Sequence, residues 1–399
     1  MNVETITSAI LREMPDINKW QRDFFHHHLG LCLALRGRYT YLNFERYGQK
    51  NELTYRNHHE TGFSFRAFNR RLIEKYTGSR RMIAFDPSYL SKSGKHTPGV
   101  GYFWSGCAGK AKWGLELCGF ATVDIDANAA LHYFAAQTLL VDGQGLMDFY
   151  CDLLRQQAPE LLKMSQYLGV DAFFSKKSFV DTAIESGLNV ITRLRDDAVL
   201  HYTPPPQKKG QKGRPNKYGD RFSARNPDTR QLPCIAQTEG QRIYGGVAYV
   251  KSLKRMVKIA LVHELKEDGA LKSVKIFICT DLEFPVQDIW PWYKSRFQIE
   301  FLYRDAKQHT GLEDTQSRHP KALEYHFNMA LTTVSVAKVV HHLSIDKSIR
   351  GPFSMANIKT QYFNELVVNR VFDVFANTPN ITKNHPALQN LYNLGKIAA

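Results

Sequence analysis

The feature that most constrains this chain is a change of hydrophobic period near residue 79. From there "RMIAFDPSYL" begins with an apolar run, and "GVGYFWSGCAG" and "WGLELCGFATVDI" follow it, separated by Gly and Lys clusters. Short runs rich in aromatic and β-branched residues and bounded by turn formers predict strands, here three in an antiparallel meander. The period then alternates. A helical stretch at about 144–165 leads to a strand in "YLGVDAF", a helix in "SKKSFVDTAIESG" and a strand in "LNVITRL". Strands that alternate with helices predict parallel additions to one sheet.

The resulting order, βββαβαβ, resembles the ribonuclease H-like fold: an α/β class with a mixed sheet flanked by helices. The alternation spans residues 79–198 and stops at "PPPQKKGQKGRPNKYGDR", whose composition predicts an exposed basic loop, with Lys208 to Lys217 suited to DNA-backbone contact or to a linker. That loop opens an expected β-rich insertion over 199–272, carried by "RQLPCIAQTEG", "RIYGGVAYV" and "RMVKIALVHELK". The apolar "SVKIFICTDL" is expected to rejoin the main sheet, beginning a second part of the domain over 273–345. Within it "KALEYHFNMALTTVSVAKVVHHL" predicts an amphipathic helix. Residues 346–399 form an expected helical tail in which no chemistry is legible.

Residues 1–78 carry apolar positions at three-to-four spacing in "TITSAILREM", "WQRDFFHHHLGLCLALRG" and "SFRAFNRRLIEKYTG", which predicts a helical region. The last places Arg66, Asn69, Arg70 and Arg71 beside Phe65, Phe68 and Leu72. Such a helix after a Gly-containing turn suits either a DNA reader or an ordinary charged amphipathic helix. His26, His27 and His28 point in different directions on a helix and do not predict a shared metal.

The chain has 53 Lys and Arg against 38 Asp and Glu, a formal charge of +15. That imbalance points to a polyanionic partner, nucleic acid first. Six single cysteines without a CxxC pair indicate neither a zinc site nor a disulfide framework. The N-terminus lacks the plan of a signal peptide, and no apolar run of about 18 residues predicts a membrane span. A soluble cytoplasmic protein without membrane partners is expected.

Three acids stand at places that matter for chemistry. Asp86 closes the apolar run Met82 to Phe85 ahead of Pro87, and Asp171 follows "YLGV"; each also suits a local structural role, a turn cap for the first and a helix-start acid for the second. Glu300 lies in "WYKSRFQIEFLYRDAK". On a continuous helix Tyr293, Arg296, Glu300 and Lys307 share an arc of about 60°, opposite the apolar Trp292, Ile299, Leu302, Tyr303 and Ala306. The charged stripe is either solvated surface or part of a site. DNA cleavage without a covalent intermediate calls for divalent cations held by a few carboxylates, and three acids converging on one sheet edge would supply them.

The spacing Tyr, two residues, Arg, three residues, Glu, six residues, Lys resembles the Tyr-Arg-Glu-Lys signature of bacterial insertion-sequence transposases with an Asp-Asp-Glu triad, the insertion-sequence-four-like family. "IAFDPSYLSKSGK", "GVDAFFSKKSFVDTAIESGLNVITRLRDD" and "ICTDL" are similar to that family's surroundings of its acids, so the resemblance covers about residues 80–340. It implies Asp86, Asp171 and Glu300 as catalytic metal ligands for a two-metal Mg²⁺ site in which Mn²⁺ would substitute. Tyr293, Arg296 and Lys307 would contact DNA phosphates, and Arg193 matches a basic position after the second aspartate. Lys92 and Lys176 follow the two aspartates and either meet DNA or remain solvated. Phe297 stands where relatives often carry Trp. The resemblance leaves a hairpin step open there, although a phenyl ring still stacks on a base. Implied partners are terminal inverted repeats, target DNA and a second copy in a synaptic dimer, which would associate the protein with the nucleoid. A nuclease without strand transfer and a repurposed, non-catalytic DNA-binding protein are the alternatives.

Overall fold

The computed structural model describes residues 2–205, 216–346, 348–375, 386–394 and 396. Its sheet starts from β1 (Arg81–Ser91), whose residues Met82 to Phe85 are fully buried. The long β3 (Lys110–Asp124) runs antiparallel along all of β1, with Arg81 opposite Asp124 and Ser91 opposite Gly114. The other edge of β3 carries β2 (Gly101–Ser105) at one end and β4 (Ala129–Gln137) at the other. The expected meander is therefore present with one strand more than the βββαβαβ order allowed, because "AALHYFAAQ" is a strand.

Helix α6 (Leu146–Leu161) crosses to β5 (Tyr167–Gly169), and α7 (Lys177–Glu185) crosses to β6 (Asn189–Leu194). Both added strands are parallel, β5 to β1 and β6 to β5, as a helical crossover requires. The sheet then continues with β7 (Leu200–His201), β8 (Arg221–Phe222), β9 (Cys234–Thr238), β10 (Gln241–Val250), β11 (Arg255–Leu265) and β12 (Leu271–Cys279). Strand β12 pairs antiparallel with β6, and β11, β10, β7 and β8 follow outward. "SVKIFICTDL" thus rejoins the main sheet. The β-rich segment before it extends that same sheet, since each added strand completes the backbone ladder of the one before it. Most of the basic run Lys208 to Lys217 lies outside the described residues. The mixed sheet flanked by helices is consistent with a ribonuclease H-like fold.

The helices α1 (Val3–Arg12), α2 (Lys19–Ala34), α3 (Tyr41–Tyr47), α4 (Glu52–Thr61) and α5 (Phe65–Tyr76) form the N-terminal region. They share one apolar core with the sheet, which runs from Val3 through Ile83 to Met355. Helix α5 turns Asn69 inside the fold, where it donates to the Tyr133 carbonyl at 3.0 Å, while the exposed Arg66 lies 3.5 Å over the Phe134 ring. The histidines diverge, His26 to Thr7, His27 to Tyr55 and His28 into the core.

After β12 come α8 (Val286–Ser295), α9 (Gln298–His309), α10 (Pro320–Ser344), α11 (Met355–Phe375) and α12 (Pro386–Asn393). Helix α10 was expected to be amphipathic. Instead almost all of Ala322 to Val339 is buried, because β4 covers one side and α1, α2, α4 and α5 cover the others. A helix enclosed on all sides has no solvated face to make polar.

Candidate active site

Asp86 does not end its strand. β1 runs through Pro87 to Ser91, and Pro87 pairs with Cys118 of β3. Proline is tolerated there because β1 has already lost its β5 neighbour, whose pairing stops at Ala84 and Gly169, so one edge makes no ladder. Asp86 therefore flanks the notch that opens beyond β5. Ladder pairing stops at Ala84 and Gly169; Asp171, two residues past the end of β5, starts the next turn and lies close enough to Asp86 to push its carboxyl upward. On the other side Gly169 pairs with Ile191, and Arg193 follows two residues along β6.

Asp171 begins a 3₁₀ turn, Ala172 to Phe174, and one carboxylate oxygen accepts from the Phe173 N–H at 3.0 Å. Its local capping role is real and uses one oxygen. Thr192 of β6 donates to the Asp171 carbonyl at 2.9 Å and holds the turn against the sheet.

The expected single helix across 292–307 is two, α8 and α9, joined at Arg296 and Phe297. At the joint Ile299 N–H bonds to the Arg296 carbonyl and Glu300 N–H to that of Phe297. These are three-residue spacings, which wind the chain more tightly than an α-helix. The apolar face is buried as expected through Trp292, Ile299, Leu302, Tyr303 and Ala306.

Arg296 is central. Its side chain is 9% exposed; it donates to Glu300 Oε1 at 2.9 Å and its other terminal nitrogen lies 3.8 Å from Asp86 Oδ1. Nε and Nη1 have no hydrogen-bond partner. Tyr293 lies beneath the guanidinium, ring centroid to Cζ 5.6 Å. Burial pushes the Asp86 carboxyl up to about 7; Arg296 opposes this, while Glu300 and Asp171 add to it. Three acids thus share one electrostatic neighbourhood with a single buried guanidinium among them.

Two residues missed by the sequence reading set this geometry. The Tyr303 hydroxyl lies 2.8 Å from the carbonyl of Asp86 and 3.1 Å from that of Leu117, so the glutamate helix is pinned to the first aspartate's own backbone. Gly119, opposite Asp86 on β3, makes room: a Cβ there would stand 2.2 Å from the Tyr303 hydroxyl. An apolar-face tyrosine and a strand glycine were visible signals, but nothing in the sequence pairs them.

Lys307 lies beside the group, its ammonium donating to the Tyr89 carbonyl at 2.6 Å. Phe297 is 45% exposed, edge-on to Phe301 at 5.1 Å. Arg193 bonds Asp196 at 2.8 Å. Lys92 is half-buried and donates to the Thr315 carbonyl, whereas Lys176 is exposed, 4.0 Å over the Phe173 ring. The structure thus gathers Asp86, Asp171, Glu300, Arg296, Tyr293 and Lys307, with Arg193 at their edge, and sets Lys92 and Lys176 farther out.

As placed, no three His, Cys, Asp or Glu side chains among the described residues stand close enough to hold a metal ion. The donor chemistry nevertheless suits a hard divalent cation, since carboxylates supply oxygen ligands and both Glu300 and Asp171 act on the buried Asp86 carboxyl.

A family model for a DDE superfamily endonuclease matches residues 143–245. This match supports a DDE-type nuclease or transposase. A DDE domain implies DNA as substrate and phosphoryl transfer as the chemistry. The matched span begins before α6 and ends within β10, so it contains Asp171 and Arg193 but neither Asp86 nor Glu300. In the fold, β1 and α9 bring those two acids to the same notch. No curated protein matches the chain. Among the described residues no helix is long and apolar enough to cross a membrane.

Proposed function

We propose that this chain is a DNA transposase that binds terminal inverted repeats, cleaves DNA at the element ends and joins the resulting 3′-hydroxyls to target DNA. The observation that carries the reading is the buried Arg296 placed between Asp86 and Glu300, with the Glu300 helix pinned to the Asp86 carbonyl through Tyr303. Asp86, Asp171 and Glu300 would hold Mg²⁺, with Mn²⁺ substituting, as a two-metal site. The chemistry such ions would supply is a lowered pKa for the attacking water or hydroxyl and charge stabilisation at the departing 3′ oxygen.

The chain's own residues do the rest. Arg296 bonds Glu300 and faces Asp86, and its Nε and Nη1 make no hydrogen bond, which would suit a phosphate oxygen. Tyr293, Lys307 and Arg193 border the same notch and would position the backbone, Lys92 and Lys176 would meet DNA farther from the cut, and the exposed Phe297 ring would stack on a base. Residues 1–78 would contribute to end recognition, and a synaptic dimer would pair two ends.

Incubating the protein with end-labelled cognate DNA, a target plasmid and Mg²⁺ tests the reading. Cleaved ends joined to the plasmid are expected. Cleavage without joined product would instead identify a nuclease, and binding with no cleavage a non-catalytic DNA-binding protein.

A further inference from the structure

A cleft of about 500 Å³ lies along the glutamate helix, and none of the three acids lines it. Helix α9 contributes Phe301, Arg304 and Asp305 to its wall, the end of α10 contributes Lys338, and the loop that follows contributes Arg350 and Phe353. The turn between β3 and β4, residues 127–129, completes the lining. Three cations thus share the cleft with one acid.

The fold holds these cations in place. Arg350 is tied to the end of α10, donating through Nη2 to the His342 carbonyl at 2.8 Å and through Nε and Nη2 to that of Ile345 at 3.1 and 3.0 Å. Arg304 bonds Asp305 at 3.1 Å and lies 4.7 Å over the Phe301 ring, so the acid already has a partner. Lys338 is 6% exposed, and among the described residues its ammonium makes one hydrogen bond, to the Ala130 carbonyl at 3.3 Å. An ammonium carries three donors. Burial pushes its pKa down to about 8, against the pull of Asp305, the behaviour of a charge short of counter-charge. His341 adds a buried Nδ1 with no partner among the described residues.

Charge, size and place together indicate the ligand. A buried, under-bonded ammonium beside a fixed guanidinium suits a phosphate, and the volume is that of a nucleotide unit more than of a bare inorganic anion. Phe301 follows Glu300 in the chain, and its ring meets the exposed Phe297 edge-on at 5.1 Å. A strand passing Phe297 therefore comes directly to the cleft.

We propose that this cleft holds a phosphate group of a DNA strand running past Phe297, with Lys338 and Arg350 donating to its oxygens. The proposal rests on the transposase reading for the identity of the strand and adds a second phosphate site, beside the carboxylate notch, to it. A free mononucleotide carries the same chemistry, and the test separates the two sources.

The test follows binding of a labelled duplex to the full-length protein by fluorescence anisotropy over a range of salt concentrations, and binding of deoxyadenosine monophosphate by thermal shift. Lys338→Met/Arg350→Gln should bind the duplex about tenfold more weakly at low salt. Its slope of log affinity against log salt should be shallower by about 1, the share of one phosphate contact. Arg350→Lys, which keeps the charge, should keep that slope, whereas a merely structural role for Arg350 would not move the slope in any variant. If the double variant fails to fold by circular dichroism, Arg304→Gln at the rim, where the side chain is 54% exposed, should shift affinity and slope in the same direction. A folded double variant with wild-type affinity and slope would overturn the cleft proposal alone, provided the wild type still joins cleaved ends to a target plasmid. No joined ends, with a salt slope that still depends on the cleft, would overturn the transposase reading and leave the phosphate contact standing. Unchanged duplex binding, with a monophosphate thermal shift that the double variant loses, would assign the cleft to a free nucleotide and overturn its role on DNA.

Discussion

Gly119→Ala tests how the two acid-bearing elements are held together. The added methyl would stand 2.2 Å from the Tyr303 hydroxyl and 3.0 Å from Cζ. Ordinary contact begins near 3.4 Å, so the hydroxyl must retreat by roughly 1 Å. Tyr303 sits on α9 one turn beyond Glu300, and its hydroxyl bridges to the carbonyls of Asp86 and Leu117. Retreat strains the core and breaks those bonds. Overpacking costs about 1–3 kcal/mol and a lost buried hydrogen bond about 1 kcal/mol, so destabilisation of about 2–4 kcal/mol is expected in urea denaturation. A 1 Å misplacement of Glu300 should also slow metal-dependent DNA cleavage by roughly 100-fold. The double variant Gly119→Ala/Tyr303→Phe removes the clashing oxygen. It should therefore be less destabilised than the sum of its single changes, a coupling a double-mutant cycle reads directly. If Gly119→Ala leaves both the urea midpoint and cleavage at wild-type values, or if the cycle shows no coupling, the pinning account is wrong.

Three further outcomes are expected. Glu300→Gln should lower cleavage by roughly 100- to 1000-fold with duplex affinity retained in a gel-shift assay; equal loss of binding would place Glu300 in DNA contact instead. Dialysis against EDTA should abolish cleavage, Mg²⁺ or Mn²⁺ should restore it, and added Mg²⁺ should raise the Tm of wild type but not of Asp86→Asn. Lys359 on α11 is buried against the Cys32 and Leu35 carbonyls and the Tyr39 hydroxyl, and burial pushes its pKa down to about 7. The unfolded chain, with an ordinary lysine near 10.4, then binds more protons between pH 7 and about 10. Stability should rise with pH across that window by up to about 1.4 kcal/mol per pH unit and be least below pH 7. Lys359→Met should flatten that slope in chemical denaturation, and an unchanged slope would count against the burial effect.

By itself the sequence determined the local periods and hence most elements: the parallel strands β5 and β6, the rejoining strand β12 and the apolar back of α9. Those features depend on neighbours a few residues apart, which the chain order displays. It also marked Asp86, Asp171 and Glu300 as acids at unusual places. Tertiary structure decided what pattern alone does not encode. β4 emerged because β3 offered a free edge, α10 lost its polar face because packed elements enclose it on every side, and α5 turned Asn69 inward. The site depends on the same long-range contacts. Asp86 and Asp171 are 85 residues apart in the chain and come together only because β1 pairs with β5. Glu300 reaches them with Tyr303 seated above Gly119, where a missing Cβ lets the helix sit against the strand. Register and close approach are properties of paired surfaces, and neither partner's sequence states them alone.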